Sequence, residues 1–145
     1  MDIDIRELEE KDYPALLPLL NELGGRYETA GEIAPHYDRV KNDGRYKTFL
    51  ALTENEAVGF VSTVQFYTVG VKGSLMWITH IAVKKETQNK GVGSKLLEHI
   101  ENYAREKGCD SIILNSGVKR IDAHRFYKRN GYNTDSNSWC FDKKL

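Results

Sequence analysis

Six residues, Gln88-Asn89-Lys90-Gly91-Val92-Gly93, carry the strongest chemical signal in the chain. Glycines at 91 and 93 let a backbone approach a ligand closely, and Lys90 adds a positive charge beside them. An apolar run (Ile78, Ile81, Ala82, Val83) precedes the turn, and an amphipathic segment with Leu96, Leu97, Ile100, Tyr103 and Ala104 on one face follows at once. The first N–H groups of a helix have no intrahelical partner, and the helix dipole favours negative charge there. A strand, a glycine-bearing turn and a helix N-terminus in that order make a cradle for a phosphate or pyrophosphate. It is not a dinucleotide fingerprint, because Leu96 stands where the third glycine is needed. Nor is it a P-loop, because no Gly-Lys-Ser/Thr closes it. The glycines alone would equally suit a tight connection.

A second constellation lies downstream. Asn115 follows a short apolar run, and His124-Arg125-Phe126-Tyr127-Lys128-Arg129-Asn130-Gly131-Tyr132 comes after it. Taken with the first, this pair of motifs resembles the GCN5-related N-acetyltransferases. The Gln88 to Gly93 run resembles that family's acetyl-CoA signature, Gln/Arg-x-x-Gly-x-Gly/Ala, and the order of elements fits the family over nearly the whole chain. The stretch from Asn115 to His124 is similar to a branch of small bacterial members.

The resemblance implies a role for each matching position. Backbone N–H groups of Gln88, Asn89, Lys90, Gly91, Val92, Gly93 and Ser94 would hold the CoA pyrophosphate. The strand Ile81-Ala82-Val83 would offer main-chain groups, those of Ile81 and Val83 above all, to the pantetheine arm and the acetyl carbonyl. That strand would splay from the next one, leaving a gap for the thioester. Asn115 would hydrogen-bond the pantetheine region. Lys90, Arg125 and Lys128 would face phosphates, although each also suits a solvated surface. Tyr127 would stand near the CoA sulfur. Amine attack on a thioester expels a thiolate, which a phenol can protonate or stabilise; otherwise Tyr127 is a core aromatic.

An alkylammonium must lose a proton before it attacks. Many family members use a glutamate on the strand before the signature, yet residues 75–83 contain no acid. They offer Thr79 and His80, and an imidazole titrates near neutral pH. Alternation puts His80 opposite Ile81 and Val83 unless a bulge re-aims it. Glu22, Tyr27 and Glu28 are alternative bases, as is a water chain with no dedicated base. His36 and His124 lack any metal-ligand spacing, and no metal site is expected. Cys109 reads as core rather than nucleophile.

These residues need elements to position them. Ile3 and Ile5 alternate with Asp2, Asp4 and Arg6, which predicts a strand. Asp12 is placed to cap a helix ending at Gly24-Gly25 and kinked or split at Pro18. A second helix is expected over 32–42. A hairpin is expected from strands 47–53 and 57–69 about a turn at 54–56, then a strand over 75–84, the long helix closed by Gly108, and a strand over 111–114. Asp122 is placed to cap a helix over 123–129, and one or two strands would follow with Trp139 and Phe141 on one face. The order β-α-α-β-β-β-α-β-α-β describes an α/β (α+β) fold, a mixed sheet flanked by about four helices. No linker or repeat divides it, so residues 1–145 read as one N-acetyltransferase domain.

The bulk numbers exclude several classes. The 145 residues are 40% hydrophobic and 29% charged, ordinary for a globular domain. Lys+Arg and Asp+Glu are both 21, which argues against a general nucleic-acid binder. No apolar run is long enough to span a membrane, and the acidic N-terminus has no secretory core. Cys109 and Cys140 fit no zinc pattern and suit free thiols in a reducing cytoplasm. The expected activity is acetyl transfer from acetyl-CoA to a primary amine of a small molecule, directly and in a ternary complex. The alternatives are a protein or peptide amine acetyltransferase and a non-catalytic acyl-CoA-binding module. C-terminal strands in the family often pair across a dimer, so a homodimer is a further expectation.

Overall fold

A computed structural model describes residues 1–134 and 138–145. The chain divides into two compact units, 1–115 and 116–145.

The first unit is built on a five-stranded sheet in the order β1 (Asp4–Glu7), β2 (Tyr46–Thr53), β3 (Glu56–Tyr67), β4 (Ser74–Val83), β5 (Cys109–Ile113). β1 to β4 are antiparallel neighbours, and β5 runs parallel to β4. The β2–β3 hairpin turns on Glu54 and Asn55, both at positive φ, as a two-residue turn matched to strand twist requires. Strand alternation then separates two faces. Leu50 pairs with Phe60, and Phe60 with Ala82. On that face they pack with Leu8, with Tyr13, Leu16 and Leu19 of α1 (Tyr13–Glu22), and with Ile33 ahead of the one-turn α2 (Ala34–Tyr37). The intervening row Phe49, Val61, Ile81 looks the other way. There Phe49 meets His99 and Tyr103 of α3 (Val92–Glu106) edge-on, at ring centroid distances of 4.5 and 5.5 Å. Val92, Leu96, Leu97, Ile100 and Ala104 form the buried stripe of α3, close to the face expected from spacing.

Several elements depart from the sequence expectation. α1 runs unbroken through Pro18. Asp12 does not cap it; its carboxylate accepts two bonds from Arg6 of β1, 2.7 and 2.8 Å, and one from the Glu9 N–H, 2.8 Å. Of the segment expected to be helical over 32–42, only Ala34–Tyr37 is α-helical: Glu32 ends a 3-10 turn (Ala30–Glu32), buried Ile33 and half-buried Tyr37 anchor the single α-turn, and beyond it Tyr37 O accepts from both Val40 and Lys41 N–H as the chain passes into turns. β5 begins at Cys109, immediately after Gly108 ends α3 at φ +73°.

In the second unit α4 (Ile121–Arg129) has Arg120, not Asp122, at its N-cap. It stops in a Schellman motif: Tyr132 N–H donates to Tyr127 O and Gly131 N–H to Lys128 O, with Gly131 at φ +88°. Among the described residues of the tail no strand forms, and residues 135–137 of that expectation lie outside the described residues. No helix among the described residues is long and apolar enough to cross a membrane.

Candidate active site

β4 and β5 pair from Ser74↔Cys109 to Trp77↔Ile113 and then part. Beyond Trp77, β4 continues for six residues with a neighbour on one side only, β3. The direction of its main chain there follows from two contacts. Lys84 N–H donates to Val58 O of β3, 2.7 Å, and the Ala82 carbonyl oxygen lies against Gly59 of β3. Alternate residues of a strand direct their N–H and C=O to alternate edges. Ala82 therefore faces β3, while Ile81 and Val83 turn their main-chain groups toward the open edge. The ladder ends where β5 ends, and β4 runs on past it with one edge open.

The open edge leads into the turn. After a single 3-10 turn at Lys85–Thr87, the Gln88 side chain folds back and donates to Val83 O, 3.1 Å. Asn89 and Gly91 both take positive φ, +63° and +87°. Gly91 is the N-cap of α3, and no side chain caps that terminus. The first intrahelical bond runs from Lys95 N–H to Gly91 O, 3.0 Å, which leaves the N–H groups of Val92, Gly93 and Ser94 directed out of the helix start. Gln88, Asn89, Lys90, Gly91 and Ser94 are exposed, and Val92 is buried as the first anchor of α3. From Ile81 to Ser94 the chain thus joins an open strand edge, an exposed turn at 88–91 and an uncapped helix start. Asn115 is exposed at the end of the first unit, two residues beyond β5.

His80 lies on β4 beside a bulge that sequence spacing alone could not position. Ser62 pairs with His80 and Thr63 with Ile78, so Thr79 is the extra residue. The bulge lies on the Ile78 side of His80, and His80 stays opposite Ile81. It now shares the face of Ala82, in register with Ser62 and Thr48, whose hydroxyls are 2.7 Å apart. Without the extra residue His80 would share the face of buried Ile78. The imidazole is exposed, and its Nδ1 is 3.2 Å from Thr79 Oγ1. Thr79 Oγ1 in turn donates to Ser62 O, 3.1 Å. Of the alternative bases, Glu22 and Glu28 are exposed and Tyr27 is half-buried, its ring edge-on to His36 at 5.7 Å.

In the second unit Tyr127 is buried. Its ring meets Tyr132 edge-on at 6.1 Å and Phe126 at 5.2 Å. Burial pushes its phenol pKa up, with Arg120 opposing weakly, so the hydroxyl keeps its proton across the ordinary pH range. The motif residues Asn130, Gly131 and Tyr132 are the cap that closes this helix and seat the Tyr132 ring against Tyr127. His124 Nε2 bonds Gly117 O at 2.8 Å, closing the loop before α4. Arg125 pairs with Asp122 at 3.5 Å, while Lys90 and Lys128 are exposed. Among the described residues no three His, Cys, Asp or Glu side chains gather to hold a metal ion.

Residues 3–132 match the model of the acetyltransferase (GNAT) family. The chain is 29% identical over 132 residues to an uncharacterized N-acetyltransferase, YhdJ, of Bacillus subtilis, covering 86% of this chain and 87% of that one. It is 35% identical to the aminoalkylphosphonate N-acetyltransferase of Salmonella typhimurium over 57% of this chain and 54% of that protein. A GNAT family acetyltransferase of Staphylococcus aureus superposes with a TM-score of 0.82 at 26% identity over the full length of both chains.

Proposed function

The chain belongs to the acetyltransferase (GNAT) family and is an acetyltransferase, and from that premise we propose that it transfers the acetyl group of acetyl-CoA directly to a primary amine of a small molecule. The observation that carries the donor half of this reading is the open edge of β4. Ile81 and Val83 turn their main-chain groups to it, and it runs into the uncapped N-terminus of α3. An extended arm with amide groups suits the first part, as an added strand suits a sheet edge. A pyrophosphate suits the second. Gln88 to Ser94 would hold the phosphates, Ile81, Ala82 and Val83 the pantetheine and acetyl groups, and Asn115 the pantetheine region.

In the transfer, the amine nitrogen gives its proton to His80, directly or through water. The lone pair so freed attacks the thioester carbonyl. As the C–S bond breaks, the CoA thiolate would take the proton of the Tyr127 phenol, and the nitrogen would give up its second proton through water to restore that phenol as the amide forms. Burial raises the pKa of Tyr127, so the phenol holds the proton that this step needs. The support for a small acceptor is the aminoalkylphosphonate enzyme among the relatives.

The test is thiol release from acetyl-CoA with a panel of amines and with peptides bearing free amino groups. Release that requires a small amine is expected. Release with peptides alone would replace the acceptor class, and tight CoA binding with no release from any amine would point to a binding module. A His80→Gln variant whose pH–rate profile matches wild type would remove His80 as base.

A further inference from the structure

We infer that Thr79 is a positioning residue that fixes the imidazole of His80 with its proton on Nδ1, leaving the Nε2 lone pair free. The inference deepens the reading of His80 as the base and rests on it for its catalytic meaning, but not for its geometry. A threonine hydroxyl has one proton and two lone pairs. Here the proton goes to Ser62 O, 3.1 Å away. That carbonyl belongs to the strand residue facing the bulge, where the ladder is interrupted by the unpaired Thr79 and a main-chain acceptor needs another donor. With its proton committed, Thr79 Oγ1 can only accept from His80. The ring nitrogen facing it at 3.2 Å is Nδ1, so Nδ1 carries the hydrogen. The result is a directed chain from His80 Nδ1–H to Thr79 Oγ1 to Ser62 O. A neutral imidazole protonated at one nitrogen presents a lone pair at the other. Nε2 is then the atom able to take a proton from an acceptor amine.

The bulge serves two ends in this arrangement. It turns His80 onto the face of Ala82, where the imidazole is exposed, and away from the row of Ile78, and it sets a hydroxyl beside the ring to choose the tautomer. The strand that lacks the family's usual glutamate thus holds a base-competent imidazole by local chemistry of its own.

The test uses the full chain labelled with 15N in histidine. Two-bond 1H–15N correlations are recorded above the imidazole titration, with the His80 pattern assigned by its loss in His80→Gln. In wild type His80 should show a protonated Nδ1 and an unprotonated Nε2. Thr79→Val should move the proton to Nε2, and Thr79→Ser should keep it on Nδ1. A wild-type spectrum with the proton on Nε2 overturns the inference, as does a Thr79→Val spectrum unchanged from wild type. Because the wild-type spectrum decides by itself, a variant that fails to fold does not shelter the idea. If His80→Gln keeps the wild-type pH–rate profile while wild-type His80 shows Nδ1–H, the tautomer inference stands and the base reading falls.

Discussion

Gly59 of β3 sits so close to Ala82 of β4 that a Cβ at position 59 would stand 2.9 Å from the Ala82 carbonyl oxygen. The same Cβ would meet Leu96 Cδ1 at 3.2 Å and Val92 Cγ1 at 3.3 Å. The backbone oxygen cannot yield without moving β4, and the two side chains are the first anchors of α3. One missing methyl group thus joins the sheet edge proposed for the pantetheine arm to the helix start proposed for the pyrophosphate. Gly59→Ala should destabilise the fold by about 1–3 kcal/mol, as overpacking does, and weaken CoA binding as well. Urea unfolding and calorimetric titration with CoA check this, and an unchanged midpoint together with unchanged affinity would show that β4 yields freely.

Gly91 makes a different demand. A Cβ there meets nothing within 4 Å, so the requirement is conformational: φ is +87°, a region that costs an L residue about 1–2 kcal/mol. Gly91→Ala should lower stability by about that amount, or relax the turn and scatter the N–H groups of residues 92–94. In the second case CoA affinity falls more than stability. Comparing the two losses tells which occurs; equal CoA affinity in wild type and variant would detach the αL turn from ligand binding.

The strand–turn–helix around Gly91 was legible because each part has a local signature: alternation in β4, paired glycines in the turn, and a 3.6-residue stripe in α3. The stop of α4 at Asn130-Gly131 was legible too, and the Schellman cap shows why those residues stand there. What spacing could not reveal is where pairing slips. The extra residue at Thr79 depends on β3 and β4 together, so His80's relation to Ile78 could not be read from β4 alone. Asp12 misled for a similar reason. Ahead of an apolar helix an aspartate reads as a cap, but Arg6, brought alongside by β1, is the stronger partner and claims both carboxylate oxygens. The segment 32–42 has Ile33, Tyr37 and Val40 at helical spacing yet forms one α-turn, and spacing alone does not show where a helix stops.

That Arg6–Asp12 pair carries a prediction about acid. The Asp12 side chain is only 9% exposed, and the hydrogen bond from Arg6 holds its carboxyl below the usual carboxylate range. A carboxyl whose folded pKa is depressed contributes stability that is fully present above its unfolded pKa, about 3.9. That contribution is lost as pH falls through the lower, folded value. Asp12→Asn should cost about 2 kcal/mol at neutral pH, between an exposed pair and a fully buried one. It should also flatten the stability decline below about pH 4. Chemical denaturation across pH 2–7 reads both; parallel acid limbs for wild type and variant would refute it.

Two buried phenols separate structure from catalysis. Tyr103 of α3 has a buried hydroxyl with no hydrogen-bond partner among the described residues, so removing it removes an unpaired polar group. Tyr103→Phe should be neutral or stabilise by up to about 1 kcal/mol, with turnover unchanged. Tyr127→Phe keeps a ring in the same place against Phe126 and Tyr132, so folding at neutral pH should also survive. Its turnover should fall by about 10²–10⁴-fold if the phenol is the acid for the thiolate, with CoA affinity little changed. The alkaline side supplies a second readout. Burial raises the Tyr127 pKa above 10, so its contribution to stability is fully present below about pH 10 and is lost as pH rises through the folded value. In Tyr127→Phe that part of the alkaline decline should vanish. Wild-type turnover in this variant would leave Tyr127 as a packing residue and assign the proton to water. A large loss of turnover with unchanged neutral stability and a flattened alkaline limb would place the acid at this phenol.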